Sequence, residues 1–248
     1  MARILVAGES WQTVSTHTKG FDSFVTADYA EGVGEFRAAL EKAGHEVIFQ
    51  PSHVAAESFP DSVLALREFG AVVLSDIGSN TLLLHPSTFR KAEARPNRLE
   101  VIRSWVADGG ALAMIGGYLS FQGIEGKANY RSTPLAEVLP VSLEPGDDRE
   151  EAPQGAIACV IDAEHPVTAG IETEWPALLG FQRLEAKENS KILATINGWP
   201  LLVVGNYGRG RVLAFASDIG PHWVPPTFTE WSGYSQLWGQ AATWLVNE

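Results

Sequence analysis

Four short apolar runs alternate with helix-like segments in the first half of the chain. They are RILVAG from residue 3, HEVIFQP from residue 45, AVVLSDIG from residue 71 and ALAMI from residue 111. Runs of this length, bounded by glycine and turn residues, are typical of strands that are buried on both faces. Because strands that alternate with helices are joined by right-handed crossovers, the pattern predicts an α/β fold with a mainly parallel sheet.

Helix signals lie between these strands. Asp28 is placed to cap a helix that continues to about residue 43, and a short helix is expected over residues 61–69. Asn97 precedes RLEVIRSWVADGG and is expected to cap a helix there. Residues 79–96 form a long polar connection, and loops of this length are usually functional or lid-like.

The second half of the chain changes character. Four strands, AIACVI, KILATI, LLVVGNY and RVLAFASD, follow closely and are joined by glycine turns, which predicts an antiparallel extension of the sheet. The charge-rich stretch EPGDDREEAP is interpreted as a solvated loop. A final helix is expected from Tyr234 to Val246. With no domain boundary visible, we expect residues 1–248 to form one domain.

Composition narrows the possible partners. The formal net charge is −12, so the surface repels phosphate backbones and anionic lipids, and neither nucleic acid nor a membrane is expected as a partner. The start MARILVAGES has no signal-peptide pattern, and no apolar run reaches about 18 residues, so we expect a cytoplasmic protein.

Cysteine and histidine content argues against metal and disulfide chemistry. Cys159 is the only cysteine and lies within AIACVID, where it is interpreted as a small buried apolar group. The six histidines are scattered without ligand-like spacing, so no metal site is expected. The stretch GGYLSFQG is not a dinucleotide fingerprint, so no cofactor is expected either.

Polar residues after four of the predicted strands form the candidate site. In open α/β sheets, ligands bind beyond the carboxyl ends of the strands. An equally good interpretation is that the acidic residues here only cap helices or accept hydrogen bonds from loop amides. The candidate residues are Glu9, Ser10, Trp11, Asp76, Ser79, Asn80, Gly116, Gly117, Tyr118, Ser120, Gln122, Asp218, His222 and Trp223.

The glycine pair Gly116-Gly117 allows two interpretations. Without Cβ atoms, both residues would let a ligand approach the backbone amides closely. The alternative is a tight turn against a neighbouring loop.

The eight tryptophans also have two interpretations. Trp105 and Trp244 fall on apolar helix faces and are expected in the core, whereas Trp11, Trp223 and Trp231 lie in or beside the site loops. Aromatic rings stack on the apolar faces of sugars and nucleosides, which favours a small polar ligand. Tryptophan is equally typical of subunit interfaces, so a homo-oligomer is also expected.

Several motifs in order resemble the class I glutamine amidotransferase-like superfamily. They are DGGALAMIGGYLSFQG, EHPVTAGI, GNYGRGRVLAFASDIGPHW and the tryptophan-rich closing helix. The resemblance spans nearly the whole chain and is strongest to a cytoplasmic branch near the trehalose-utilisation-like proteins. It implies a flavodoxin-like three-layer sandwich with a mainly parallel central sheet and an antiparallel extension.

The resemblance also implies where chemistry would occur. Members place a cysteine on a strand-to-helix elbow, with a histidine and a carboxylate behind it. Gly116, or else Gly117, takes the cysteine position here, so a cysteine-dependent glutaminase is not expected. Ser120 could replace it with His222 as base and Asp218 or Glu230 as its partner, although the spacing is not G-x-S-x-G.

These observations predict a protein that binds or processes a small polar metabolite, with sugar-related compounds as candidates. One alternative is a non-catalytic structural or regulatory subunit of a homo-oligomer. The other is a hydrolase or isomerase that uses Ser120 and His222, or acid–base residues such as Asp218 and Glu9. The sequence leaves open whether the protein is an enzyme.

Overall fold

The computed structural model describes residues 1–246. Fourteen strands are described within that range. They are β1 (Arg3–Gly8), β2 (Ser10–Lys19), β3 (Asp22–Glu31), β4 (Glu46–Gln50), β5 (Ala71–Ser75), β6 (Ala111–Ile115), β7 (Val141–Leu143), β8 (Arg149–Ala156), β9 (Ala158–Val160), β10 (Leu178–Gln182), β11 (Leu184–Ala186), β12 (Lys191–Ile196), β13 (Trp199–Tyr207) and β14 (Gly210–Phe215).

The α-helices are mostly short. They are α1 (Gly34–Lys42), α2 (Ser52–Ser58), α3 (Val63–Leu66), α4 (Ser79–Leu83), α5 (Pro86–Lys91), α6 (Arg98–Ala107), α7 (Leu135–Val138), α8 (Pro226–Thr229) and α9 (Ser232–Val246). Within the described residues, no helix is both long and apolar enough to cross a bilayer.

An eight-stranded sheet in the order β4-β1-β5-β6-β14-β13-β12-β9 forms the centre of the molecule. The first five strands in this order run parallel to one another. Each of the last three strands pairs antiparallel with the strand before it. The predicted flavodoxin-like α/β fold with an antiparallel extension is therefore confirmed. Three separate two-stranded ladders, β2-β3, β8-β10 and β7-β11, surround the main sheet.

The central strands are buried because helices cover them. β5 and β6 are buried along their whole length. α1 and α9 contact one another, and α9 also contacts β5, β6 and β14. Asn97 caps α6 as predicted, because its Oδ1 accepts hydrogen bonds from the Leu99 and Glu100 amides at 3.1 and 3.3 Å.

The predicted helix from Asp28 is wrong in its first part, since α1 begins only at Gly34 and Asp28 lies in β3. Residues 10–31 instead form a hairpin of two ten-residue strands. The segments SWQTVSTHTK and DSFVTADYAE are rich in β-branched and aromatic residues, which favour strands. Gly20 adopts a φ of +63° at the turn.

Three further local predictions are wrong. Residues 79–96 contain α4 and α5 rather than a continuous loop, and the His85 side chain caps α5 by accepting from the Ser87 amide. The helix expected over 61–69 covers only Val63–Leu66, and α2 was not predicted. The charge-rich stretch is not a solvated loop, because β8 begins at Arg149 and pairs with β10.

Candidate functional site

The strand order creates a switch point between β1 and β5. The chain passes from β1 to β4 on one side and then to β5 on the other, which is the flavodoxin-like order 2-1-3-4-5. Glu9 directly follows β1, and Asp76 directly follows β5. Asp218 follows β14 and reaches the same place. We call Glu9, Asp76 and Asp218 the acid cluster.

Glu9 and Asp218 form a buried carboxyl pair, each with about 1% of its surface exposed. Glu9 Oε2 accepts a hydrogen bond from Ser75 Oγ at 2.7 Å, and Asp218 Oδ1 accepts one from the Ile219 amide at 2.7 Å. Asp218 Oδ2 is buried and accepts no hydrogen bond among residues 1–246. Both carboxyl groups are desolvated and the charge of Glu9 acts on Asp218, so ionisation of both groups at once is unfavourable.

Burial favours the protonated form of both groups. Burial raises the pKa of Glu9 to about 8, and the nearby charge of Asp76 adds to the effect while the Ser75 hydroxyl opposes it. Burial, followed by the charges of Glu9 and Asp76, raises the pKa of Asp218 well above its ordinary value. The two groups therefore titrate as a coupled pair in which burial favours protonation.

Asp76 is the least buried member of the acid cluster. The Leu119 amide donates to Asp76 Oδ1 at 2.6 Å, and the Asp76 amide donates to Ser120 Oγ at 3.1 Å. Burial raises the pKa of Asp76, although the Leu119 amide and the charge of His222 lower it. Glu9 and Asp76 both have a φ of 44°, a region that non-glycine residues rarely adopt and that clusters at functional sites.

The glycine pair after β6 is packed against protein atoms. A Cβ at Gly116 would lie 2.3 Å from Gln182 Oε1, and one at Gly117 would lie 2.8 Å from Asp76 Cβ. The Gly116 amide donates to the Phe215 carbonyl at 2.8 Å, so the expected role of that amide in ligand binding is wrong. Gln182 is fully buried and its Nε2 donates to the Gly117 carbonyl. A side chain at Gly116 would therefore collide with Gln182.

Aromatic rings lie above the acid cluster. The His222 ring contacts Trp11 at 5.0 Å and Tyr118 at 5.4 Å between centroids. Tyr118 also contacts the buried Trp223 at 5.6 Å. His222 is exposed and has a φ of 93°. We call Trp11, Tyr118 and His222 the aromatic mouth.

Arg149 is the cation at the edge of the aromatic mouth, with its guanidinium 4.9 Å from the Tyr118 ring centroid. It also forms ion pairs with Asp147 at 2.9 Å and Glu151 at 3.1 Å. Glu151 in turn accepts a hydrogen bond from Trp223 Nε1 at 3.0 Å. Because Arg149 is already paired with two carboxylates, the mouth carries little net positive charge.

Ser10, Gln122 and Ser120 have structural partners. Ser10 Oγ accepts from the Ser52 amide at 2.8 Å, at the start of α2. Gln122 Oε1 accepts from the Arg131 amide at 2.9 Å. The Ser120 hydroxyl accepts from the Asp76 amide and donates to the Gly116 carbonyl at 3.3 Å, so it is bonded on both sides by backbone.

The other predicted residues lie at the margin or outside. Ser79 is buried with no partner for its hydroxyl among the described residues, and Asn80 is exposed. Glu230 is exposed at the end of α8. Trp231 packs against Trp175 and Phe228 instead of the acid cluster.

Three important residues were missed. Ser75 and Ser217 are fully buried polar residues next to Asp76 and Asp218. Ser75 was visible as the polar end of an apolar run. Gln182 gave no local signal, because its strand, β10, was not predicted at all.

Cys159 lies far from the acid cluster. It sits in β9, the outermost strand, which is three strands beyond β14 or about 14 Å at the usual spacing. Its side chain is half-buried, so the expected core position is only partly correct.

A surface cavity of about 880 Å³ lies elsewhere, between α1 and α9. Lys42, Arg211 and Trp244 are among the residues that line it, and none of the lining residues carries a carboxyl, imidazole or thiol group. Residues 1–246 also contain no group of three or more histidine, cysteine or acidic side chains arranged to hold a metal ion. The chemistry of the described residues is therefore concentrated at the strand ends.

Comparison with known families gives one match along nearly the whole chain. The profile of the GATase1-like family, described as "Putative glutamine amidotransferase", matches residues 3–247. No curated protein matches the chain.

Two solved structures are similar in both sequence and fold. Cytoplasmic protein STM1381 from Salmonella typhimurium LT2 is 48% identical over 98% of this chain and 99% of its own, with a TM-score of 0.95. Cytoplasmic protein STM3548 from Salmonella typhimurium is 43% identical over 98% of both chains, also with a TM-score of 0.95. A "Putative thua-like protein" from Parabacteroides merdae shares the fold at 13% identity over 99% of this chain and 89% of its own, with a TM-score of 0.59.

Proposed function

The chain belongs to the GATase1-like family, as its motifs predicted, and from that premise we propose that it binds a small hydroxyl-rich metabolite without negative charge. The ligand contacts Asp76 and the aromatic mouth. We also propose that the protein is cytoplasmic and does not hydrolyse glutamine through a cysteine.

The observation that carries this proposal is the acid cluster beneath aromatic rings. Carboxylates accept hydrogen bonds from hydroxyl groups, while aromatic faces cover the apolar faces of a sugar or polyol. An anionic ligand would be repelled by Asp76, and the nearby Arg149 is already paired with Asp147 and Glu151. Sugars and polyols therefore fit the site better than phosphate esters or carboxylates.

The absence of a thiol at the turn supports the second part of the proposal. A glutaminyl thioester requires a nucleophilic sulfur at the elbow. The family resemblance aligns Gly116, or else Gly117, with that position. A side chain at Gly116 would meet Gln182, and Cys159 is three strands away.

A second candidate function, an acid–base enzyme, is favoured by the protonation of Glu9. A carboxyl group with a pKa of about 8 can give or take a proton near neutral pH. Glu9 is buried, so protons would pass to a substrate through Asp76 or His222 at the mouth. Such an enzyme would be a hydrolase or isomerase rather than an amidotransferase.

Ligand binding is tested by thermal unfolding with a panel of neutral monosaccharides and polyols, each paired with its phosphate ester. At ten times the dissociation constant, a ligand adds about 1.4 kcal/mol and raises Tm by about 3–5 °C. We expect stabilisation by at least one neutral compound and not by its ester. Asp76→Asn should abolish the shift, and Asp108→Asn, an exposed carboxylate at the end of α6, should not.

Equal stabilisation by the phosphate esters would contradict the proposal. So would the absence of stabilisation by every neutral compound at concentrations up to about 50 mM, which is on the order of the weakest useful dissociation constant for a sugar. Turnover of a bound compound that is lost in His222→Gln, with binding retained, would establish the enzyme instead. In a parallel assay, glutamine should release no ammonia. Ammonia release that Cys159→Ala abolishes would overturn the assignment of that thiol.

A further inference from the structure

The hairpin formed by β2 and β3, residues 10–31, projects from the molecule. We call it the β-ribbon. Almost all of its residues beyond the root are exposed. At the root, Ser10 bonds Ser52 and the Tyr29 ring contacts His53 at 5.5 Å. No other helix or strand of the described chain packs extensively against it.

The two faces of the β-ribbon differ in charge. On one face the register pairs Gln12 with Tyr29, Val14 with Ala27, Thr16 with Val25 and Thr18 with Ser23. This face, which we call the uncharged face, carries no charged side chain between Gln12 and the turn, and its one charge, Glu31 opposite Ser10, lies at the root. Tyr29 also donates to Glu31 at the root at 2.6 Å. The opposite face pairs Trp11 with Ala30, Thr13 with Asp28, Ser15 with Thr26, His17 with Phe24 and Lys19 with Asp22.

Large apolar side chains on the uncharged face meet solvent. Val14 is 67% exposed, Val25 is 63% exposed and Tyr29 is 46% exposed. An isolated two-stranded hairpin is at best marginally stable in water, and exposed strand edges invite pairing. A long, uncharged, β-branched face is therefore a surface that needs a partner.

Charge favours a second copy of this chain as that partner. The chain has a formal net charge of −12, so two copies repel one another wherever acidic surfaces meet. They can approach through a face that carries no charge. A basic partner would instead bind to acidic side chains, and this face has none between Gln12 and the turn.

The available area also suits a dimer. Ten residues per strand give a ribbon about 33 Å long and about 10 Å wide, or on the order of 330 Å² for one face. If each of the two β-ribbons lies on the other copy, the two ribbon faces and the two surfaces that they cover are buried. These four surfaces amount to about 1,300 Å² in total. That value lies within the range of stable protein–protein interfaces, about 1,200–2,000 Å².

We propose that the uncharged face of the β-ribbon is a self-association surface through which two copies of this chain form a symmetric dimer. Each ribbon lies against the other copy, and Val14, Val25 and Tyr29 become buried. This proposal is independent of the ligand proposed above.

The test compares two adjacent lysine substitutions on opposite faces. Val14→Lys puts a charge in the uncharged face, whereas Thr13→Lys puts the same charge opposite Asp28 on the other face. Both replace a β-branched residue, so their effects on strand propensity are matched. Molar mass is measured by light scattering and sedimentation from 1 to 100 μM, a range of about two decades that covers typical dimer affinities.

We expect the wild-type chain and Thr13→Lys to have twice the chain mass of 26.8 kDa. Val14→Lys should weaken the dimer at least 100-fold and be a monomer at 1 μM, because a buried unpaired charge is costly. Its thermal unfolding and circular dichroism should still show a folded protein. Ribbon amides should exchange faster in Val14→Lys than in the wild type.

Four outcomes would overturn the proposal. The first three are a monomeric wild-type chain at 100 μM, a dimer that survives Val14→Lys, and dissociation by both substitutions alike. The fourth is protection of ribbon amides by a different macromolecule while the chain itself stays monomeric.

Discussion

Replacing Glu9 with glutamine removes the titratable group with a pKa of about 8 at the centre of the acid cluster. Glutamine keeps the shape of the side chain and can still accept from Ser75. It can also donate to Asp218 Oδ2, which has no other donor among residues 1–246. We therefore expect Glu9→Gln to fold and to change mainly how stability depends on pH.

The direction of the pKa shift of Glu9 determines how the stability changes with pH. The folded-state pKa of Glu9, about 8, lies above its ordinary value of 4.5. The stability that belongs to the protonated form is fully present below pH 4.5 and is lost as the pH rises through 8. The free energy of unfolding falls by about 1.4 kcal/mol per pH unit in that window, or about 5 kcal/mol across it. Glu9→Gln lacks this loss.

The assay is urea unfolding at pH 5.5, 6.5 and 7.5, with Tm measured in parallel. Glu9→Gln should gain about 3 kcal/mol relative to the wild type between the first and last pH, equal to about 6–12 °C in Tm. Glu188→Gln, at an exposed position, is the control for the loss of one negative charge. Parallel pH curves for the wild type and Glu9→Gln would refute the raised pKa of Glu9.

Three further substitutions test the surrounding packing by thermal unfolding. Gly116→Cys should not create a glutaminase and should destabilise by about 1–3 kcal/mol, because its Cβ would lie 2.3 Å from Gln182 Oε1 and 2.6 Å from the Ser217 carbonyl oxygen; an unchanged Tm would contradict this clash. Ser120→Ala should cost about 1–3 kcal/mol because the Asp76 amide loses its acceptor, and an unchanged Tm would argue against that bond. Asn97→Ala should cost about 1 kcal/mol through loss of the α6 cap, whereas Asn97→Asp should retain most of the stability.

Local sequence signals predicted the sheet and the place of the site. The apolar runs at β1, β5, β6 and β14 have clear boundaries. A polar residue or glycine follows β1, β5 and β6 directly, and Ala216 separates β14 from Ser217 and Asp218. Because the carboxyl ends of parallel strands lie at one edge, Glu9, Asp76 and Asp218 could be grouped without knowing any distance. Whether this edge binds a ligand is still a prediction.

Other features could not be predicted from local sequence patterns. The threonine and valine residues of the β-ribbon favour strands, but the helix-cap signal at Asp28 led to the prediction of a helix there. β8 was not predicted because of its charged residues, which pair with neighbouring charges, as Arg149 does with Asp147 and Glu151. In both segments, pairing with a neighbouring strand overrode composition.

The sequence by itself determined the α/β class and the mainly parallel sheet with its antiparallel extension, because these depend on residue type and short-range periodicity. Only the tertiary structure decided that the pKa values of Glu9 and Asp218 are raised and that Gln182 fills the space beside Gly116. The pKa of a carboxyl group depends on burial and on charges from distant parts of the chain. Those quantities exist only once the strands have been brought together.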